Sequence, residues 1–191
     1  FTTVNGAAAP GAATVAEQVK QLRQGEPGYW LVFVDGCHAP GLSEIGPLPA
    51  GVEIVALSAL LATSPARLEP YFGGEEDGES SAALNLALAG EGAFIRVAQG
   101  VGVQDPVHLV FIATQAQSAC FPRNILVAEN GSQATVVEHY LGNDNGITLT
   151  NAVTRTVIGA DASLTHMKLQ QEGEQAFHLA AIEVRQARGS V

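Results

Sequence analysis

Apolar positions along the first half of the chain change their period several times. Val15, Val19 and Leu22 recur at helical spacing behind Thr14-Val15-Ala16-Glu17, which reads as a capping box, and Gly25 is placed to end that helix. YWLVFV at 29–34 is an aromatic and β-branched run closed by Asp35-Gly36, which predicts a strand and a turn; residues 52–57 (VEIVAL) predict a second strand. Residues 58–63 and 66–71 predict two short helices divided by Pro65, and residues 80–89 a third that starts on serine and stops at Gly90. Residues 1–13 are small and turn-rich, a loose lead-in. GGEEDGE at 73–79 predicts an exposed acidic linker, because a calcium loop would need alternating ligands at fixed spacing.

From about Gly92 the texture becomes β-rich, with strands expected at 93–98, 107–113, 125–128, 134–141, 148–158, 162–170 and 176–184 and glycine turns between them. The region repeats itself. ILVAENGSQATV, from Ile125, lies over VTRTVIGADASL, from Val153, at a constant offset of 28 that puts Gly131 on Gly159 and Ala134 on Ala162. Strand, glycine turn, small residue and strand at a fixed period describe a solenoid coil; a sandwich of hairpins satisfies the same pattern over two copies. If that offset is one coil, Val136 stacks on Leu164, Thr135 on Ser163 and Glu138 on His166 in parallel ladders, the last as a hydrogen-bonded pair.

Composition narrows the function. Hydrophobic residues make up 47% of the 191 and charged residues 15%, against roughly 25% charged in an average domain, so part of the surface is suited to a partner. The formal charge of −10 argues against a nucleic-acid interface. Apolar runs fall short of the roughly 20 residues a membrane span needs. Cys37 and Cys120 stand in unrelated contexts without CxxC spacing, which suits buried thiols in a reducing compartment. No Walker A loop, G-x-S-x-G elbow or H-E-x-x-H sequence is present.

Certain runs carry a family resemblance: FPRNILVAENG at 121–131, Val137-Glu138-His139-Tyr140, Thr150-Asn151-Ala152-Val153 and LTHMKLQ at 164–170. Ala83-Leu84-Asn85 and Asp105-Pro106-Val107-His108-Leu109 precede them in order. Together they resemble the core of the SufB/SufD family of iron–sulfur cluster assembly scaffolds, and the ALN and EHY details resemble SufD. Tyr140 stands where the SufB pattern has a cysteine, so cluster ligation is not expected there.

The resemblance implies a right-handed parallel β-helix, mainly β, behind a small α/β region. The expected division is a lead-in with a short helix (1–28), a small α/β region with the acidic loop (29–90) and the first coils of the helix (91–191). It implies a non-catalytic scaffold in the cytoplasm, or in the plastid stroma of a plant or alga, pairing with SufB-type and SufC-type subunits. The cluster would form on the intact complex, with no cofactor or metal held by this chain. The start at Phe1 and the stop at Val191 read as a piece of a longer protein whose cut coil would pair with a second copy. Of the five histidines, His139 and His166, with Glu138, are the weak cofactor candidates; a supporting role is the default for each. Arg123 is expected to support a turn and Asn124 to join an internal amide stack. The rival readings are a β-helix carbohydrate-active enzyme, for which clustered acidic residues are wanting, and a generic protein-interaction module.

Overall fold

A computed structural model of the chain describes residues 2–3, 12–72, 81–142 and 146–191. The lead-in at 4–11, the acidic tract at 73–79 and the side chain of Thr14 lie outside the described residues. The fold is mainly β, a parallel solenoid of about three turns behind a small α/β region.

The strands are β1 (Thr2–Thr3), β2 (Tyr29–Val34), β3 (Cys37–His38), β4 (Val52–Ala56), β5 (Ala93–Val97), β6 (Val107–Ala113), β7 (Ser118–Cys120), β8 (Arg123–Ala128), β9 (Gln133–Gly142), β10 (Thr148–Ile158), β11 (Ser163–Gln171) and β12 (Ala176–Gln186). The helices are α1 (Ala12–Leu22), α2 (Leu57–Thr63) and α3 (Ser81–Leu88). From β5 onward the chain winds between two sheets, with β7 and β8 following each other in one of them. One runs β1-β7-β10-β8-β5-β4 with β12 also on β10; the other runs β11-β9-β6-β2-β3. All pairings are parallel except β2 with β3 and β4 with β5.

Inward-facing side chains build the core. Leu31, Phe33, Ile95, Leu109, Phe111, Leu126, Val136, Tyr140 and Ala152 form one buried cluster. Within it Phe33 stacks on Phe111 at 4.9 Å and Phe111 on Tyr140 at 5.0 Å, following the register of β2, β6 and β9. On the outside, α1 lays Val15, Val19 and Leu22 over Trp30, Val32, Val110 and Ile112. A second apolar cluster gathers Leu57, Leu60 and Leu68 on Phe94, Ile125 and Val127.

Local structure follows the sequence pattern where apolar period and length agree, and departs from it at three places. Helix α1 begins at Ala12, two residues before the predicted start at Thr14. Residues 66–71 form two 3-10 turns, Pro65–Arg67 and Glu69–Tyr71, because Pro65 opens the first, Pro70 is the second residue of the other, and both break a continuous ladder. The two short strands β3 and β7 have too few residues to show a period.

The register differs from the one that the offset of 28 predicts. Strand β11 lies on β9 with Ser163 opposite Gln133, Leu164 opposite Ala134, Thr165 opposite Thr135 and Lys168 opposite Glu138. One coil therefore carries the chain from Gln133 to Ser163, a longer step than the repeat implies, so Val136 faces His166 and not Leu164, and Thr135 does not face Ser163. The cause is the turn. Gly100, Gly131, Asp161 and Gly189 occupy equivalent corners with φ of +71°, +65°, +57° and +74°. Aspartate tolerates this left-handed conformation, so Gly131 is matched in space by Asp161. Gly159 is small for another reason: a Cβ there would come 2.6 Å from Asn130 N and 2.8 Å from Glu129 C. The shorter step does occur one coil later, where Thr148 pairs with Ala176 and Thr150 with His178.

Candidate functional site

Inward positions of β8, β9, β10, β11 and β12 bring a row of polar side chains into the solenoid. Glu138, 1% exposed, is its centre. Its Oε1 accepts from Thr154 Oγ1 at 2.5 Å and Asn124 Nδ2 at 3.2 Å and lies 3.1 Å from His166 Nε2; its Oε2 accepts from the Tyr140 hydroxyl at 2.7 Å. Glu138 and His166 are therefore neighbours on adjacent parallel strands, meeting on the diagonal and not face to face. Burial pushes the Glu138 carboxyl pKa up, but the hydrogen bond and charge of His166, with the Thr154 and Tyr140 hydroxyls, outweigh it and hold the group below the ordinary carboxylate value. Burial and the Glu138 charge raise the Tyr140 phenol well above its usual value.

A second dyad continues the row. His178 Nδ1 lies 2.7 Å from Glu172 Oε2, and Thr150 Oγ1 donates to Glu172 Oε1 at 2.8 Å. Lys168 Nζ is 2.5 Å from His178 Nε2 and 5.0 Å above the Tyr140 ring, whose face also meets the His178 edge at 4.6 Å. In the sequence Lys168 stands out only within the run at 164–170 and His178 only as one of five histidines, and nothing singles out Glu172. The alternation His166-x-Lys168-x-Gln170 marks one inward face of a strand, and the shorter following coil brings His178 to it.

His139 points the other way. On the outer face, beneath α1, its Nε2 is 3.0 Å from His108 Nδ1, and Trp30 stacks on His108 at 3.8 Å and 6°. His108 Nε2 faces the Pro27 carbonyl at 3.3 Å, so it carries a hydrogen, its Nδ1 accepts, and His139 Nε2 donates. That assignment requires a neutral His108, since its Nδ1 must keep a lone pair. Burial, then the neighbouring His108, pushes His139 down to about 4, and burial also lowers His108. The unfolded chain then binds protons that the folded chain refuses between pH 6.5 and about 4. Stability is expected to fall as pH drops through that window, by on the order of 3 kcal/mol for His139. Urea melts at pH 7, 6 and 5 check this: His139→Leu should flatten the slope, and an unchanged slope would count against the neutral pair.

Arg123, fully buried, donates to Asn85 Oδ1 at 3.0 Å and lies over the Phe72 ring, a supporting role between α3 and the sheet. Asn124 joins no amide stack: its neighbours are Glu138, Thr154 and the Ala93 N–H, because the residue above it is Thr154. Cys37 and Cys120 line one cavity of about 390 Å³ with Phe33, Phe111 and Glu91. Burial pushes the Cys120 thiol up to about 12, which keeps it protonated at neutral pH. Among the described residues, no group of three or more His, Cys, Asp or Glu side chains is arranged to hold a metal.

Residues 111–191, which carry this polar chain, match the SufBD core domain of the SUF system for iron–sulfur cluster assembly. The match supports membership of the SufB/SufD family. It is 28% identical over 171 residues to an iron–sulfur cluster assembly SufBD family protein of Synechocystis, covering 84% of this chain and 38% of that protein. It is 28% identical over 152 residues to the chloroplastic protein ABCI7 of Arabidopsis thaliana, covering 74% and 32%. To the iron–sulfur cluster assembly protein SufD of Bacillus subtilis it is 33% identical over 103 residues, 52% of this chain and 24% of that protein. The chain thus spans 24–38% of the length of these relatives. The Glu138 network lies within the matched SufB/SufD core, whereas Trp30 of the histidine stack lies N-terminal to it.

Proposed function

We propose that the chain is part of a SufD-type scaffold subunit that pairs with a SufB-type subunit and a SufC-type ATPase to build iron–sulfur clusters, and that it is not itself catalytic. The observation that carries the reading is the SufBD core match over a parallel solenoid whose inward Glu138 and Glu172 are each held by neighbouring hydroxyls and a histidine. Tyr140 donating to Glu138, at the position where the SufB pattern has a cysteine, supports the SufD type. A protein of this kind works in the cytoplasm or the plastid stroma; among the described residues no helix is long and apolar enough to cross a membrane. The cluster is the product of the assembled complex, and this chain keeps none.

The test is purification of the natural protein from its own cells through an affinity tag. SufB-type and SufC-type subunits are expected in stoichiometric amounts. Their absence from a well-folded preparation would overturn the reading. The isolated chain presents β11 and β12, each paired along one side by β9 and β10, with Met167, Leu169, Phe177, Leu179, Ile182 and Val184 exposed. Such strands accept a second copy. Sedimentation is expected to show association that rises with concentration, and a strict monomer at high concentration would argue against pairing through this face.

A further inference from the structure

Lys20 and Lys168 are the only lysines of the chain, and their surroundings differ. Lys20 is exposed on α1, whereas Lys168 is half-buried on the inward side of β11. The Glu172 carboxylate can only accept, so the His178 Nδ1 beside it carries the hydrogen. In the neutral ring this leaves a lone pair on Nε2, aimed at the Lys168 amine 2.5 Å away. Thr150 fixes the far oxygen of Glu172. An amine faces a base, and a third group orients that base, which is how a nitrogen nucleophile is prepared.

We propose that Lys168 is a carbonyl-reactive amine that forms an imine with small neutral aldehydes, with His178 as proton acceptor and Glu172 as its positioning residue. The groups around the amine set the class of partner. Glu138 and Glu172 carry negative charge beside it, His166 is engaged by Glu138, and the Tyr140 ring lies beneath the amine. Two carboxylates repel an anionic carbonyl compound and leave a neutral one unopposed. Burial lowers the pKa of the amine, the attraction of Glu138 and Glu172 opposing it, and so favours the uncharged nucleophile.

The chemistry balances without a further reagent. The ammonium gives a proton to His178 Nε2, and the freed nitrogen lone pair attacks the carbonyl carbon. The π pair moves to oxygen, which takes back the proton held by His178, and the added nitrogen keeps two hydrogens. The carbinolamine then loses the second nitrogen proton and its hydroxyl group as water, and the C=N bond forms. One ammonium and one aldehyde give one protonated imine and one water, with His178 returned to its starting state.

The whole chain is treated with propionaldehyde and cyanoborohydride at pH 7, and alkylation at Lys168 and Lys20 is measured by peptide mass spectrometry. Lys168 is expected to react roughly tenfold faster or more than Lys20, and to keep reacting at lower pH. Glyoxylate, an anion, should lose this preference. His178→Gln should remove most of the advantage and Glu172→Gln part of it, with circular dichroism reporting whether each variant folds. Equal rates or coincident pH profiles at the two lysines of the unmodified protein would overturn the proposal, whatever the variants do. Full preference retained in folded His178→Gln would overturn it as well.

Discussion

Gly92→Ala is expected to remove a large share of the stability of the fold. Gly92 precedes β5 with φ of +142°, and a Cβ built on it would lie 2.0 Å from the Arg123 carbonyl oxygen and 2.6 Å from its carbon. Neither side can retreat. Arg123 N donates to the Glu91 carbonyl at 3.0 Å, Leu57 N donates to the Gly92 carbonyl at 2.8 Å, and the Arg123 side chain is fully buried. Backbone strain and a backbone clash at one residue cost on the order of 4 kcal/mol or more, against a typical total stability of about 5–15 kcal/mol. Urea denaturation checks this. Gly131→Ala provides the contrast, since nothing lies within 4 Å of its Cβ and only the positive φ opposes it. Equal stability of Gly92→Ala and the parent would mean that β5 and β8 do not approach as described.

Glu138→Ala comes second. Removing the carboxylate strips Thr154, Asn124, Tyr140 and His166 of their shared acceptor inside the solenoid. Truncating one member of such a buried network costs roughly 3–5 kcal/mol, whereas Glu138→Gln keeps the shape and one acceptor oxygen and should cost about half as much. The pH dependence has a definite sign. Glu138 titrates lower in the folded chain than its ordinary value of 4.5, so its contribution is present above about pH 4.5 and is lost as pH falls through the folded value. Acid unfolding of Glu138→Ala should therefore lack that component. A variant as stable as the parent at pH 7 would show that the network is not formed.

Much of this site could be read in the sequence because strand geometry forgives one kind of error. Matching Gly131 to Gly159 misplaced β11 on β9 by two residues, but two residues is one full pleat. Every side chain stayed on its correct face, and Glu138 still met His166, on the diagonal. What hid the register was Asp161, a left-handed corner without a glycine. The family could be read from 121–131 and 164–170 because those runs hold buried residues with specific work: Arg123 on Asn85, Asn124 and His166 on Glu138. Lys168, His178 and Glu172 were not legible together. Their meeting depends on a coil that shortens around the turn after Gln171. The step that sets Val153 on Arg123 is longer than the one that sets Ala176 on Thr148, and no period in the sequence announces that change. Nor could the sequence separate His139 from Glu138 by role; only the alternation of a placed strand sends one outward to Trp30 and the other inward to Tyr140.

The parallel coil that lays β11 on β9 assembles the SufBD core and its polar chain, and paired cysteines measure it directly. Thr135→Cys with Thr165→Cys puts thiols on directly opposed residues of β9 and β11. Neighbouring strands lie about 4.8 Å apart, within the roughly 4.4–6.8 Å between Cα atoms that a disulfide accepts. Thr135→Cys with Ser163→Cys places them roughly 8 Å apart, beyond that reach. After mild oxidation, non-reducing peptide mass spectrometry should find the 135–165 crosslink in high yield and little of the 135–163 crosslink. The reverse yields, or neither crosslink in folded protein, would contradict the register and the site built on it.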